Sequence, residues 1–432
     1  MSLHPFIDIR VGDEEITSVP PEFVLSMTYK SSIEALSTFD FEVIDPTFTA
    51  VEELLLLSDS QDRPIIFRFG YIDPSSGLVS SNWLQSRLIR YSPTLDSKGM
   101  RIIASCLVDV GLRIVNANTT AYSGKISTVV EKIAKELGIG YEVEETNDDI
   151  NDADPNNRGN PKEWPTEGLP PLEFVKLKLL EIARSKSSTN NYVLYVTGTR
   201  DRTLKPTLHF HTIEYPLCDS RRKKTKEFNY LANQSEAVIE FKPEYNSTGL
   251  GNLGGSHIVM RAVDPITKQF VIDVQNTKTN PNYVGVGDGT KSNSKPIESG
   301  AGNEGRESQA GILMAQEVDR GVASDRARNV WTLLKAYSLT ASLSLVGLPP
   351  TSDIEANDLI KMNVLIPGPT GDPNYPGYRE HWSSGVYLIT EAVHQIGAQY
   401  TVDCQLRRDY SSVGSAPALP SKLIVPEISP VI

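Results

Sequence analysis

Phe39-Asp40-Phe41-Glu42-Val43 sets three apolar side chains on one face and two acids on the other. A period of two is that of a half-buried β-strand. Ile65, Phe67, Phe69 and Tyr71 repeat the pattern around Ile66 and Arg68. Turn chemistry separates such runs at Asp45-Pro46, Asp73-Pro74-Ser75-Ser76-Gly77 and Ser97-Lys98-Gly99. Strand follows strand with no helical pattern between them, so residues 1–115 are expected to form an antiparallel barrel or sandwich rather than βαβ units.

A period of 3.6 appears next. Val130, Ile133, Ala134 and Leu137 share a stripe, with Thr128 and Glu131 as a capping box and Gly138 as the stop. A second helix is expected over 172–185, with Val175, Leu179, Ile182 and Ala183 inward. The stretch 147–170 is rich in Asp, Asn, Pro and Gly and is expected as a long surface loop. Strands at 192–197 and 207–213 complete an α+β module over 116–220. Further strands are expected at 237–241, 257–263 and 269–274, within a β segment 221–275. Residues 276–310, rich in Gly, Ser and Asn, have little to bury and form a linker. A helix follows in 311–336, with Ala327, Val330, Trp331 and Leu334 on one face. Alternation returns over 337–410, in Leu339-Thr340-Ala341-Ser342-Leu343-Ser344-Leu345 and around Val402, Cys404 and Leu406. Residues 411–432 form a Pro- and Ser-rich extended tail.

The chain's 432 residues exceed what one small core needs. Its net charge of −12 argues against a protein that grips nucleic-acid phosphates. No stretch approaches the roughly 20 apolar residues of a membrane span, and no export signal is visible at the start. Cys106, Cys218 and Cys404 are far apart and odd in number, which fits free thiols in a reducing compartment. Cys404 falls on an apolar face, so an inert buried thiol is favoured there.

Candidate chemistry is thin. Gly249-Leu250-Gly251-Asn252-Leu253-Gly254 matches GxGxxG, but a strand-like segment follows where a phosphate site needs a helix. His209-Phe210-His211 puts two imidazoles on one strand face, a spacing metals use, yet no third ligand stands out and a solvated pair is favoured. Asp152, Asp154, Asn156 and Glu163 fit a calcium-loop count, but Asn157 replaces its glycine and Pro161 and Pro165 block the exiting helix, so an acidic surface loop is favoured. Arg221-Arg222-Lys223-Lys224 with Lys226 is the one dense basic run, favoured as a solvated turn. No Gly-x-Ser-x-Gly, HExxH or local cysteine signature occurs. The residues point to a non-enzymatic, β-rich binding or structural protein with no cofactor and no metal site.

The order of the pieces carries a resemblance. Phe39–Val43 and Ile66-Phe67-Arg68-Phe69-Gly70-Tyr71 come first, then Gly124-Lys125-Ile126-Ser127-Thr128-Val129-Val130. Ala327-Arg328-Asn329-Val330-Trp331 and Leu339–Leu345 with Gly347-Leu348-Pro349 follow. Trp382-Ser383-Ser384-Gly385-Val386-Tyr387, His394 and Tyr400-Thr401-Val402-Asp403-Cys404 close the series. The succession resembles the late control protein D family of contractile-tailed phages, the baseplate hub proteins, and is similar to the N-terminal part of type VI secretion spikes. The resemblance implies a mainly β fold with two tail-tube-like antiparallel β-barrel domains, over 1–115 and 337–410, plus the inserted α+β module. It implies no catalytic residue. It implies a homotrimer, a pseudo-sixfold ring between a hexameric tail tube and a trimeric central spike, in contact with other baseplate proteins. DNA would pass through the lumen without specific binding, and no membrane is involved. Such a protein belongs to the virion and is assembled in the host bacterial cytoplasm. Trp331, Gly347, Pro349 and Trp382 are the residues singled out, each with ordinary core or turn duty favoured. The alternatives are a cell-wall-degrading tail enzyme and a carbohydrate-binding β-sandwich adhesin.

Overall fold

The computed structural model describes residues 4–108, 121–146, 163–180, 183, 192–212, 225–245, 257–276, 312–314, 339–367 and 378–408, except 13–16, 61–63, 74–76, 82, 198–205, 232–236, 264–269, 349–350, 352 and 382. The first part holds β1 (His4–Val11), β2 (Thr17–Ser18), β3 (Val24–Ser32), β4 (Thr38–Asp45), helix α1 (Ala50–Ser60), β5 (Ile65–Asp73), β6 (Gly77–Ser80), β7 (Leu84–Asp96) and β8 (Gly99–Val108). Then come β9 (Ala121–Ser123), α2 (Ile126–Leu137), β10 (Gly140–Val143), β11 (Glu163–Pro165), α3 (Pro171–Phe174) with a π-helical continuation (Val175–Leu179), β12 (Tyr192–Thr197) and β13 (Thr207–Thr212). The last part holds β14 (Lys226–Leu231), β15 (Val238–Tyr245), β16 (His257–Val263), β17 (Phe270–Asn276), β18 (Ile312–Met314), β19 (Leu339–Val346), β20 (Leu359–Pro367), β21 (Tyr378–Glu380), β22 (Gly385–Ile396) and β23 (Tyr400–Arg408).

The fold is mainly β with α+β insertions, but the two expected barrels do not form. The strands of both β regions join one open 15-stranded sheet whose main path is β15-β19-β23-β22-β3-β4-β8-β7-β5-β1-β2. The cause lies in β22. One of its edges is shared, with Gly385–Leu388 pairing β20 and Glu391–Ile396 pairing β3. The edge that would close a barrel in one region is thus used to fuse the two regions. A single apolar core follows, running from Phe39, Phe67 and Tyr29 through Tyr387 and Tyr400 to Leu343 and Cys404. The Phe39 and Phe67 rings stack at 3.6 Å between centroids. Cys404 and Cys106 are buried, and burial raises both thiols' pKa values, that of Cys106 to about 12.

Helix α1 interrupts the all-strand pattern expected for the first hundred residues. Its run Leu54-Leu55-Leu56-Leu57 hides the helical period, yet among the described side chains Val51 and Leu55, one turn apart, are the fully buried ones. Asp45 starts the helix. Its carboxylate accepts from the Thr47 N–H (2.8 Å), the Thr47 hydroxyl (2.6 Å) and the Val51 N–H (2.8 Å). Burial alone would raise the Asp45 pKa, but these donors over-compensate and hold it below the usual carboxylate value. Asp45→Ala strips the first turn of its acceptor and should cost about 2 kcal/mol in urea unfolding. Asp45→Asn, which keeps one acceptor oxygen, should cost less; equal losses would refute the capping role.

The module at 121–212 has its own core, in which α2 packs Val130, Ile133, Ala134 and Leu137 against Phe174, Tyr192 and Phe210. Gly138 ends α2 at φ 72° as expected. The capping box does not form, because the helix begins at Ile126, which places Thr128 inside its first turn. Trp164 corrects the surface-loop expectation for 147–170: β11 pairs β9, and the buried Trp164 indole donates to the Gly124 carbonyl at 2.9 Å. A third cluster, Ile33, Val193, Tyr195, Ala356 and Leu388, packs the module onto the large sheet.

Candidate functional site

Eight consecutive strands of the large sheet, β15-β19-β23-β22-β3-β4-β8-β7, are antiparallel throughout. Because side chains alternate, the register gathers most polar positions on one face. One row across the sheet reads Glu240, Ser344, Asp403, Val393, Lys30, Thr38, Leu107 and Arg87. The opposite face is the core. The polar face carries the acids Asp40, Glu42, Glu240, Glu244, Glu391 and Asp403 and the bases Lys30, Arg87, Arg90, Arg101, Lys242 and Arg407. Opposite charges pair on it: Lys30 with Glu391 at 2.7 Å, Lys242 with Glu240 at 2.6 Å, and Arg101 with Glu42. Among the described side chains six acids face six bases, so the chain's excess negative charge is not expressed by them on this face.

The face is built from one motif used twice. β3, β4, β5, β7 and β8 lie in sheet order β3-β4-β8-β7-β5, and β15, β19, β20, β22 and β23 lie in the corresponding order β15-β19-β23-β22-β20. The correspondence extends to single residues. The β3–β4 ladder shifts register between Val24 and Ser26, and β15–β19 shifts between Val238 and Glu240. The β7–β8 ladder shifts between Leu88 and Arg90, and β22–β23 between Ile389 and Glu391. The bulge residues Leu25 and Ile239, and likewise Ile89 and Thr390, are equivalent positions of the two repeats, each of which gives the face a four-stranded unit (β3-β4-β8-β7 and β15-β19-β23-β22).

No family model and no curated protein matches the chain. Solved structures do. The 43 kDa tail protein of prophage MuSo2 from Shewanella oneidensis is 14% identical, with a TM-score of 0.53 over 95% of this chain and 99% of that one. A tail protein from Neisseria meningitidis MC58 is 8% identical, with a TM-score of 0.55 over 95% and 98%. The chain shares its fold with phage tail proteins. A PdpA-VgrG complex matches at 8% identity and a TM-score of 0.52, over 95% of this chain and 65% of that one.

Within this tail-protein fold, His209 and His211 form a buried joint, which corrects the expectation of a solvated pair. His209 bonds Glu142 through Nδ1 (2.9 Å) and Thr197 through Nε2 (2.7 Å), and its ring stacks on Tyr195 at 4.6 Å. His211 is fully buried, and its Nδ1–H donates to the Thr212 carbonyl at 2.8 Å. Its Nε2 then accepts, facing the Tyr195 hydroxyl at 3.1 Å and the Asn357 amide nitrogen at 3.2 Å. Asn357 comes from the β19–β20 connection, so the network ties the inserted module to the large sheet. All four ring nitrogens are occupied by protein groups. Among the described residues no three His, Cys, Asp or Glu side chains group to hold a metal, and no helix is long and apolar enough to cross a membrane.

Gly347 follows β19 and donates its N–H to the Tyr400 carbonyl at 2.8 Å, with the Tyr400 ring against its α-carbon. Trp331, Pro349 and Trp382 lie outside the described residues. So do Asp152 and Asp154, the glycine motif 249–254, the basic run 221–224, Cys218, the linker 277–310, the tail 411–432 and the helix expected in 311–336, apart from Ile312–Met314, which form strand β18 instead.

Proposed function

We propose that this chain is a structural hub subunit of a contractile phage tail or related injection machine, without catalytic activity. The duplicated four-stranded unit carries this reading. Three copies of a chain with two such units present six, which matches a hexameric tail tube on one side. The same three copies match a trimeric central spike on the other. One unit then comes from the β region 1–115, the other from β15 of the 221–275 segment joined to the β region 337–410, and 116–220 decorates the outside. The polar face lines the lumen. Its ion-paired charges and hydroxyls offer no net attraction to phosphate, so DNA passes without being held. The protein resides in the virion baseplate after assembly in the host cytoplasm, and its outer surface meets other baseplate proteins.

Co-expression with the tube and spike proteins, followed by native mass measurement, tests this. The expected complex contains three copies of the 47.6 kDa chain. A complex holding one or six copies, or clearing of peptidoglycan by the purified chain, would overturn the reading.

A further inference from the structure

We infer that the β7 edge of one copy pairs antiparallel with the β15 edge of a second copy, in the register Ser92–Glu244, Pro93–Pro243, Thr94–Lys242 and Leu95–Phe241. The inference rests on the hub reading and specifies its joint.

The internal duplication supplies the register. β22 is the counterpart of β7, and β3 is the counterpart of β15. Within the chain β22 and β3 are already paired, through Val393–Lys30, His394–Tyr29, Gln395–Thr28 and Ile396–Met27. Aligned through their bulges, His394 corresponds to Pro93 and Tyr29 to Pro243. Transferring the internal pairs to the open edges yields the stated register. Polarity agrees, because the outer strands of an eight-stranded antiparallel sheet run in opposite directions and meet antiparallel in a head-to-tail ring.

Exposure shows that β7 lacks its neighbour. Ile396 is 3% exposed, whereas its equivalent Leu95 is 71% exposed, although both belong to the core-facing series of their strands. His394 is fully buried, and its equivalent Pro93 is exposed. Beyond Ser86, β7 pairs only β8, and β15 pairs only β19 among the described strands. A second copy's β15 brings Phe241 opposite Leu95, as Met27 stands opposite Ile396.

The two prolines set the strength of the joint. A proline fits a paired strand only where its missing N–H would face away from the ladder. In β7 and β15 that side is the open edge. Pro93 and Pro243 therefore meet with no N–H between them, where His394 and Tyr29 supply two. The joint between copies is weaker than the joint within the chain, which keeps free chains from polymerising through their edges.

Cysteine pairs test the register. Ser92→Cys with Glu244→Cys, and Thr94→Cys with Lys242→Cys, place thiols at directly opposed positions, within the Cα span a disulfide accepts. Ser92→Cys with Lys242→Cys is two residues out of register. In assembled particles both in-register pairs should give a cross-linked trimer on oxidation, about tenfold more than the offset pair. Equal cross-linking by all three, or none in particles shown to hold three copies, would overturn this register and leave the hub reading standing. Particles without three copies would overturn the hub reading itself. Pro93→Thr with Pro243→Thr should raise the trimer fraction of free protein about tenfold; no change would refute the role given to the prolines.

Discussion

Gly347→Ala is expected to destabilise the protein by about 3 kcal/mol. A Cβ at this position would lie 2.2 Å from Tyr400 Cγ, inside the van der Waals limit. The ring cannot swing aside. Its hydroxyl is bonded to His394 Nδ1 at 2.8 Å, and the ring packs against Tyr71 (5.2 Å between centroids) and Phe69 (6.2 Å). The backbone cannot withdraw either, because the Gly347 N–H is bonded to the Tyr400 carbonyl at 2.8 Å. Gly397→Ala is the matched control. Its added Cβ would find its nearest neighbour, Ser26 Cβ, at 3.8 Å, an ordinary contact. Urea midpoints should fall sharply for the first variant and stay within about 0.5 kcal/mol for the second. Equal losses would contradict the packing argument.

Lowering the pH from 7 to 5 should weaken the fold by about 2 kcal/mol through His394 alone. His394 is fully buried in the joint between β22 and β3, and burial lowers its pKa to about 4. The native form is the neutral imidazole. Its Nε2–H donates to the Ile354 carbonyl at 2.7 Å, and its Nδ1 accepts from the Tyr400 hydroxyl. The unfolded chain takes up a proton near pH 6.5, whereas the folded chain resists until about pH 4. Stability is therefore full above 6.5 and is lost as the pH falls toward 4. A His394→Gln variant should start less stable and show a shallower loss between pH 7 and 5. Identical slopes for the two proteins would show that His394 is not the group responsible.

The strands were legible because alternation is local. Phe39–Val43, Leu339–Leu345 and Val402–Leu406 each carry their burial in a period of two, and the apolar stripe of α2 fixes its helix in the same way. Pairing is not local. Tyr29 and His394 lie side by side although most of the chain separates them, and no pattern near either residue announces it. The expected barrels failed at that ladder. The duplication was hidden for a related reason, because register and bulge positions repeat while the side chains do not. Phe41 corresponds to Leu343, Ala104 to Cys404 and Ser92 to Val393. The histidine pair looked solvated because its cover comes from other strands and connections, Tyr195 from β12 and Asn357 from a far later part of the chain. Trp164 was obscured by the polar residues around it. Gly347 stood out as a strand terminator, but nothing in its neighbours revealed the ring of Tyr400.

A cryo-EM map of the assembled tail tests the central claim most directly. The account predicts a threefold ring between tube and spike, with strands β15 to β7 of each copy facing the lumen and the 121–212 module outside. A map without threefold symmetry at that level, or with the polar face turned away from the lumen, would contradict it.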